Sequence, residues 1–435
     1  MKKIVLLSVG LLFFYLAALP PLLFCDEYRL EELYRLALKR AERIRVTEEN
    51  INLARLDLDR ARGALIPNLS AFGSLTKFSE VKRGDTNNVI QQDTAGTWGL
   101  RLNQSFSLSG REFQGLDIAG KNLERSRFDL LSFQQDYLLT VAAAFYDLLK
   151  AKQALEIANA NLDRLTKHRD AAQTRLRVGE VTKTALLRAE GELSGARSEK
   201  IKATNNIEAV KVSLARIVGL TGPFDIKETE ELDGDPGTLA DLERQALDTR
   251  PDLKSLETEK TIAAQQIDFT KGAFWPNLSL GAAFSRFEEH PQRSNLNRES
   301  ISGTVALDFL FYDGGERKAD VMDAEVRLRQ AELLYHDGVK GVTLEVQNAY
   351  LEFATQQGII KFLQDQLAYA RDNYLAVTKQ YEFGLANSID VIDANNLLLS
   401  SQRQLSDAVY NSRYALLRLK KVTGRLPVEA TYSKK

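Results

Sequence analysis

Between Pro67 and Pro223 the chain contains no proline, and none again between Pro291 and Pro427. Proline removes a backbone donor and collides with the preceding turn, so its absence over such spans permits very long helices. A helix from about Glu112 to Arg177 would be roughly 100 Å long at about 1.5 Å per residue. No compact domain accommodates that length, and uninterrupted helices of this kind point to coiled coils or helical arrays.

The spacing inside these spans agrees. Val141, Leu148, Leu155 and Leu162 lie seven apart, with Ala144, Ala151, Ala158, Leu165 and Ala172 three positions on. Val346, Phe353, Ile360, Leu367 and Tyr374 repeat the seam beside Ala349, Gln356, Leu363, Ala370 and Val377. A seven-residue period implies left-handed supercoiling against neighbours. A bundle within one chain and a helical barrel both satisfy it.

The two seams belong to a duplication. Gly63-Ala-Leu-Ile-Pro67-Asn68-Leu69-Ser70 returns as Gly272-Ala-Phe-Trp-Pro276-Asn277-Leu278-Ser279, an offset of 276 − 67 = 209. Gly179 returns as Gly384 and Gly219 as Gly424, an offset of 205. The four-residue difference is expected in the polar loop after Ser79. Each half then reads helix, strand, loop, strand, long helix, tip, helix. The expected division is residues 26–222, a linker over 223–238, residues 239–425, and a tail over 426–435. The first helices are expected as single elements over Arg29–Arg62 and Leu239–Lys271. Pro67 and Pro276 end them and act as helix-to-strand switches, because a residue before proline is pushed toward extended geometry.

Strands are expected at about 68–78, 97–108, 277–287 and 301–311. Trp98, Leu100, Leu102, Gln104, Phe106 and Leu108 alternate with Thr97, Gly99, Arg101, Asn103, Ser105 and Ser107. Ile301, Gly303, Val305, Leu307, Phe309 and Phe311 alternate with Ser302, Thr304, Ala306, Asp308 and Leu310. Leu69, Ala71, Gly73 and Leu75, and Leu278, Leu280, Ala282 and Phe284, carry the same code. Runs of about ten residues, apolar on one face and small or polar on the other, match membrane β-strands. Trp98 and Trp275 suit an interfacial girdle, and Ser79–Ala95 and Glu288–Ser300 read as outward-facing polar loops. A soluble hairpin packed on a helix is the bland alternative for either pair alone. Four strands leave open edges, which lipid does not tolerate, and the smallest membrane barrels have about eight strands. Such a chain must oligomerise to close a barrel.

The N-terminus suits that destination. Met1-Lys2-Lys3 precedes an apolar run from Ile4 to Leu19, the pattern of a secretory signal over residues 1–25. Pro20-Pro21 argues against an uncleaved anchor. Leu22-Leu23-Phe24-Cys25 also resembles a lipoprotein signal whose Cys25 would be lipidated, although Phe24 is large for that position.

Several function classes fall away. The chain has 435 residues and a net charge of −1, from 58 basic and 59 acidic groups, which leaves no electrostatic footprint for nucleic acid. One cysteine and three scattered histidines, His168, His290 and His336, give no disulfide framework and no metal-spaced cluster. No phosphate loop or nucleophile elbow appears, so neither an enzyme nor a cofactor is expected.

Chemistry concentrates in Tyr381-Glu-Phe-Gly384-Leu385-Ala-Asn387-Ser388-Ile-Asp390-Val-Ile-Asp393. Gly384 supplies a helix-to-helix turn, Asn387 or Ser388 caps the next helix, and Asp390 and Asp393 share a face of its first turn. From spacing alone, the aspartates read best as partners of the helix dipole. Leu176-Arg-Val-Gly179-Glu-Val181-Thr182-Lys-Thr184 has the same layout without the acids.

With these residues in view, the sequence resembles the TolC family of outer-membrane efflux channels across nearly the whole mature chain. The resemblance rests on the duplicated layout, on the Pro-Asn-Leu repeats and above all on Tyr381–Ala394. It implies an α+β membrane protein: a trimeric 12-stranded β-barrel, four strands per chain, continued by a long α-helical barrel into the periplasm. It implies a homotrimer in outer-membrane lipid, fed by an inner-membrane transporter and a periplasmic adaptor, the membrane fusion protein. The resemblance makes Asp390 and Asp393 an acidic ring at the entrance, and Tyr381, with Thr184 near it, part of the network that shuts it. Gly179, Val181, Gly384 and Leu385 would take the adaptor. One feature departs: the arginine that latches the closed state in the family's best-known member falls at Ala386, and its aspartate partner at Ala185. The rival reading is a periplasmic coiled-coil scaffold without a membrane barrel.

Overall fold

A computed structural model describes residues 26–228, 237–291 and 297–426. The expected signal peptide, Cys25, much of the linker and the tail beyond Leu426 lie outside them. The described chain forms two compact units, and each draws on both halves of the duplication.

One unit comprises residues up to 44, 134–244 and from 345 onward. Strand β1 (Asp26–Tyr28) pairs in parallel with β6 (Phe224–Ile226), inside the expected linker. Helix α1 (Leu30–Arg40) follows β1 and buries Leu33 and Ala37 completely. The remainder is helical. It contains the tip-side part of α3 (Arg111–Arg177), all of α4 (Lys183–Val218), the tip-side part of α7 (Glu316–Glu382) and all of α8 (Ser388–Val422). The heptad seam runs along the buried stripe of α3: Val141, Leu148, Ala144, Ala151, Ala158, Leu165 and Ala172 are buried, while Leu155 and Leu162 are half-buried. In α7 the seam is buried at Val346, Ala349, Phe353 and Ala370 but only half-buried at Ile360, Leu363, Leu367, Tyr374 and Val377.

The other unit comprises residues 45–133 and 245–344. Helix α2 (Glu42–Gly63) leads through Pro67 into β2 (Asn68–Lys77). Helix α6 (Pro251–Lys271) passes through a 3-10 turn (Gly272–Phe274) and Pro276 into β7 (Asn277–His290). β2, β5 (Thr94–Ser107), β7 and β8 (Glu299–Asp308) form one antiparallel sheet in the order β2-β5-β7-β8. The register sorts the faces, because directly paired residues share a side. Leu69, Leu102, Ala282 and Gly303 align on one face; Ser70, Arg101, Ala283 and Ser302 align on the other. The apolar face ends in charge: Arg286 donates to Glu299 at 3.2 Å beside the Trp98 position. Beyond the far end of β8, Phe311 and Tyr312 are exposed. Both edge strands, β2 and β8, are open within one chain. No described helix is long and apolar enough to cross a membrane.

Three expectations need correction. The first helix of each half is broken. Ala41 separates α1 from α2 at ψ 121°, and Arg250 separates α5 (Leu239–Thr249) from α6 at ψ 125°. The second break has a cause in Pro251, which pushes Arg250 out of the helical region. The first stands at the same place in the duplication, 250 − 41 = 209, where Glu42 replaces the proline. The loop after Ser79 is not plain coil: β3 (Lys82–Arg83) and β4 (Val89–Gln91) pair within it. β8 ends at Asp308 rather than near 311, while β5 starts at Thr94 and β7 reaches His290.

The ends of α3 and α7 keep one offset, 316 − 111 = 205 and 382 − 177 = 205. The four residues are therefore lost between β2 and the start of α3. The second long helix, α7, is also anchored where it leaves the sheet. Asp313 accepts bonds from the backbone of Gly315 and Arg317, and Arg317 Nη2 donates to the Leu310 carbonyl at 2.7 Å. The Arg317 guanidinium bonded to the carboxylate, helped by the backbone N–H groups of Arg317 and Gly315, holds the Asp313 carboxyl down at about 2.

Candidate functional site

Two helix tips lie within the helical unit. Each closes on a glycine in the left-handed region. In the first, Gly179 has φ 81°, Glu180 N–H donates to the Arg175 carbonyl at 2.9 Å, and Gly179 N–H donates to Leu176 at 3.1 Å. In the second, Gly384 has φ 74°, Leu385 N–H donates to the Gln380 carbonyl at 2.8 Å, and Gly384 N–H donates to Tyr381 at 3.1 Å. These bonds satisfy the last helical carbonyls, and glycine adopts the geometry without a Cβ penalty.

The next helices start differently. Thr182 caps α4 with one bond, its Oγ1 accepting from Ala185 N–H at 3.3 Å. Asn387 caps α8 with its Oδ1 accepting from Ile389 and Asp390 N–H, at 2.8 and 3.1 Å. Asp390 Oδ2 in turn accepts from Asn387 N–H at 2.9 Å, completing a capping box. Asp390 therefore shapes the helix start and still presents its carboxylate to solvent. Asp393 is exposed one turn on, as is Thr184 in the other tip, and Val181 is half-buried. Around the glycines, Val178, Phe383 and Leu385 are 67%, 79% and 80% exposed.

Tyr381 is the exception, only 3% exposed. Its hydroxyl has no hydrogen-bond partner among the described residues. The ring makes the contacts: the Arg175 guanidinium lies 4.4 Å from its centroid, and the His168 ring lies 5.2 Å away. Burial pushes the phenol above its ordinary range, against the pull of Arg175. Arg175 also donates from Nη2 to the Glu382 carbonyl at 2.5 Å, and its Nε lies 3.9 Å from Glu180.

These contacts extend into a ladder. His168 Nε2 and Ser388 Oγ share a buried hydrogen bond of 2.9 Å. Asn395 Nδ2 donates to Asn161 Oδ1 at 2.8 Å, also buried, and Arg164 Nε donates to Asn395 Oδ1 at 2.7 Å. Asn161, His168 and Arg175 are seven apart on α3; Tyr381, Ser388 and Asn395 are seven apart across the tip of α7 and α8. A polar row thus runs beside the apolar seam and joins the two helical hairpins. Burial lowers the His168 pKa and favours its neutral ring.

The structure brings Tyr381, Gly384, Leu385, Asp390 and Asp393 to one tip and Gly179, Val181 and Thr184 to the other. Within one chain Arg175 and His168, together with Asn161 and Arg164, link the hairpins, and local pattern did not single them out. Positions 386 and 185 hold methyl groups, so no salt link joins them, as the sequence leads one to expect. Pro67 and Pro276 stand in the other unit, at helix-to-strand junctions. Among the described residues no group of His, Cys, Asp or Glu is placed to hold a metal ion.

The sequence profile of the family described as outer membrane efflux protein matches residues 33–220 and 242–425. The chain belongs to that family. Its relatives include the outer membrane efflux protein BepC of Brucella suis, 22% identical over 386 residues, covering 89% of this chain and 81% of that protein. The alkaline protease secretion protein AprF of Pseudomonas aeruginosa is 23% identical over 408 residues, covering 90% and 84%. Among solved structures, the outer membrane protein VceC from Vibrio cholerae matches with a TM-score of 0.79 at 20% identity, covering 91% and 96%. Outer membrane efflux proteins of this kind are trimeric channels and not enzymes. The channel lies in the outer membrane with a helical part in the periplasm, which sets aside the soluble scaffold. Its four-stranded sheet with two open edges is one third of a barrel, 3 × 4 = 12 strands.

Proposed function

We propose that the chain is a passive exit duct whose two tips per protomer form the periplasmic entrance. There it meets a periplasmic adaptor and an inner-membrane transporter, which supplies the energy. The observation that carries this reading is the second tip. It exposes Phe383 and Leu385 beside two solvent-facing carboxylates, on a turn stiffened by a capping box. Exposed apolar side chains at a helix turn are a liability unless a partner covers them. Gly179 and Gly384 set the turns; Val181 and Leu385 belong to the surface that the adaptor covers. BepC and AprF are named for efflux and for protease secretion, and both activities require such a duct.

In a trimer, Asp390 and Asp393 supply 3 × 2 = 6 carboxylates at the entrance. A ring of like charge favours cations. Replacing both with asparagine keeps a hydrogen-bonding cap on α8 and removes the charge. Planar-bilayer recordings of the D390N/D393N channel should then show weaker block by polyvalent cations. Block equal to that of the wild type would sink the ring.

A further inference from the structure

We propose that Arg101 supplies a ring of three guanidiniums halfway along the barrel lumen. The ring favours anions and gives departing solutes that carry a carboxylate, sulfate or phosphate group a contact on the way out. This deepens the reading of the chain as an exit duct and rests on it. The two faces of the sheet fix where Arg101 points. One face carries Leu69, Leu100, Leu102, Leu280, Val305 and Leu307, the apolar side that a membrane barrel turns to lipid. Arg101 belongs to the opposite face, which then lines the water of the lumen. It stands near the middle of β5, 101 − 94 = 7 residues from one end and 107 − 101 = 6 from the other.

The charge is uncompensated where it stands. Across the middle rows its neighbours on the lumen face are Ser70, Phe72, Asn103, Ala283, Ser302 and Thr304, all uncharged. Among the described residues of this sheet, the carboxylates on that face are Glu289 and Asp308, at its two ends. Arg101 pairs with Ala283 and that residue with Ser302, so each acid is six positions away, 289 − 283 = 6 and 308 − 302 = 6. Six positions are roughly 20 Å at about 3.3 Å per residue, which is about two Debye lengths at 0.1 M salt. Arg286 and Arg317 of the same unit are each paired with a carboxylate instead.

The guanidinium is also placed. Phe72 lies across Gly99, where a Cβ would come within 2.9 Å of its ring. Arg101 Cζ sits 5.0 Å from the centroid of that ring, on a diagonal of the β2–β5 pair. Stacking on an aromatic face leaves the edge N–H donors free, the arrangement in which arginine takes an oxyanion. Beside it the small residues Gly281, Ala283 and Ala306 leave a recess of about 470 Å³, with Asn103 on its wall. Twelve strands about 4.8 Å apart and tilted about 40° enclose a backbone cylinder roughly 24 Å across. Every point of the lumen therefore lies within about one Debye length of the ring in dilute salt, and a ring of like charge selects the opposite ion.

The test uses purified trimers in planar bilayers under a gradient of dilute KCl, each checked first for trimer formation, with the reversal potential as readout. D390N/D393N is the background, because it removes the entrance charge and leaves the barrel's own preference to be read. Adding R101Q should raise the potassium-to-chloride permeability ratio, and R101E should raise it several-fold. R101K, which keeps the charge and loses the planar fork, should restore most of the background ratio. The differences should vanish in about 1 M KCl, where the Debye length is only about 3 Å. Citrate, added in dilute KCl, should shift the background toward cations by masking the guanidiniums and leave R101Q unmoved. Equal ratios in the background, R101Q and R101E overturn the ring and leave the duct standing, since the trimers conduct. A shift as large in R101K as in R101Q, or an equal citrate effect in R101Q, also overturns it. Verified trimers that pass no current overturn the duct and the ring together. Should R101E fail to assemble, R101Q decides.

Discussion

The two tips share a backbone and divide in chemistry. Both close with the same pair of hydrogen bonds around a left-handed glycine, 384 − 179 = 205 residues apart. In that register Tyr381 stands opposite Leu176, Asn387 opposite Thr182, Asp390 opposite Ala185 and Asp393 opposite Arg188. One scaffold thus occurs twice, and the second copy alone carries the buried ring, the capping box and the carboxylates. The geometry of a helix turn is fixed by a glycine and a cap, which leaves the surrounding side chains free to diverge.

The largest difference between the tips should come from truncating the paired positions. Tyr381→Ala empties a buried site under Arg175 and His168, and deleting a buried aromatic costs about 3 kcal/mol or more. Leu176→Ala, at a half-buried position, should cost well under half of that. Hydrogen exchange of the tip amides measures both. Comparable losses at the two tips would mean that Tyr381 anchors nothing special. Tyr381→Phe sharpens the point. Its hydroxyl has no partner, so removing it should leave tip protection unchanged or raised, whereas a marked loss would reveal a bond the hydroxyl makes in the trimer.

The glycines probe the shared part. A Cβ at Gly179 or Gly384 would meet nothing within 4 Å, so the penalty of Gly→Ala is backbone strain alone. It should be about 1–2 kcal/mol at each tip. Equal losses of amide protection uphold a common scaffold. A loss confined to one tip would break the comparison at its base.

What the sequence disclosed follows the range of the interactions. The duplication, the proline-free helices and the two-faced strands depend on periodicity and on single residues with fixed backbone habits. So do Gly179, Gly384 and the junction prolines, and all were legible. The break at Arg250 had a local signal in Pro251 that a single-helix reading of Leu239–Lys271 passed over, and the offset of 209 carries it to Ala41, which has no signal of its own. The polar row between the hairpins was hidden for another reason. His168 and Ser388 are 220 residues apart, and as isolated residues they suggest nothing. Only the heptad spacing of Asn161, His168 and Arg175, matched by Tyr381, Ser388 and Asn395, could have drawn attention to them. It was masked by the stronger apolar seam alongside.

The smallest effect, a single titration, acts on the contact between the two hairpins. His168 is buried on α3, the helix that runs into the first tip, and its neutral ring faces Tyr381 on α7 and Ser388 on α8, with the Arg175 guanidinium beyond Tyr381. Burial sets its pKa below the ordinary value, which is about 6.5 for an unperturbed histidine. With the hairpins apart, His168 therefore takes up a proton as pH falls past about 6.5, while in contact it stays neutral until the lowered value is reached. Over that window acid favours separation. Above the ordinary value both forms are neutral and pH has no leverage through this group. Wild-type trimers should accordingly conduct more at mildly acidic pH than at pH 8. H168Q, which cannot take up the proton, should lose this dependence. A dependence that persists in H168Q would assign the sensitivity to another group, with the Asp390 and Asp393 carboxylates the next to exchange for asparagine.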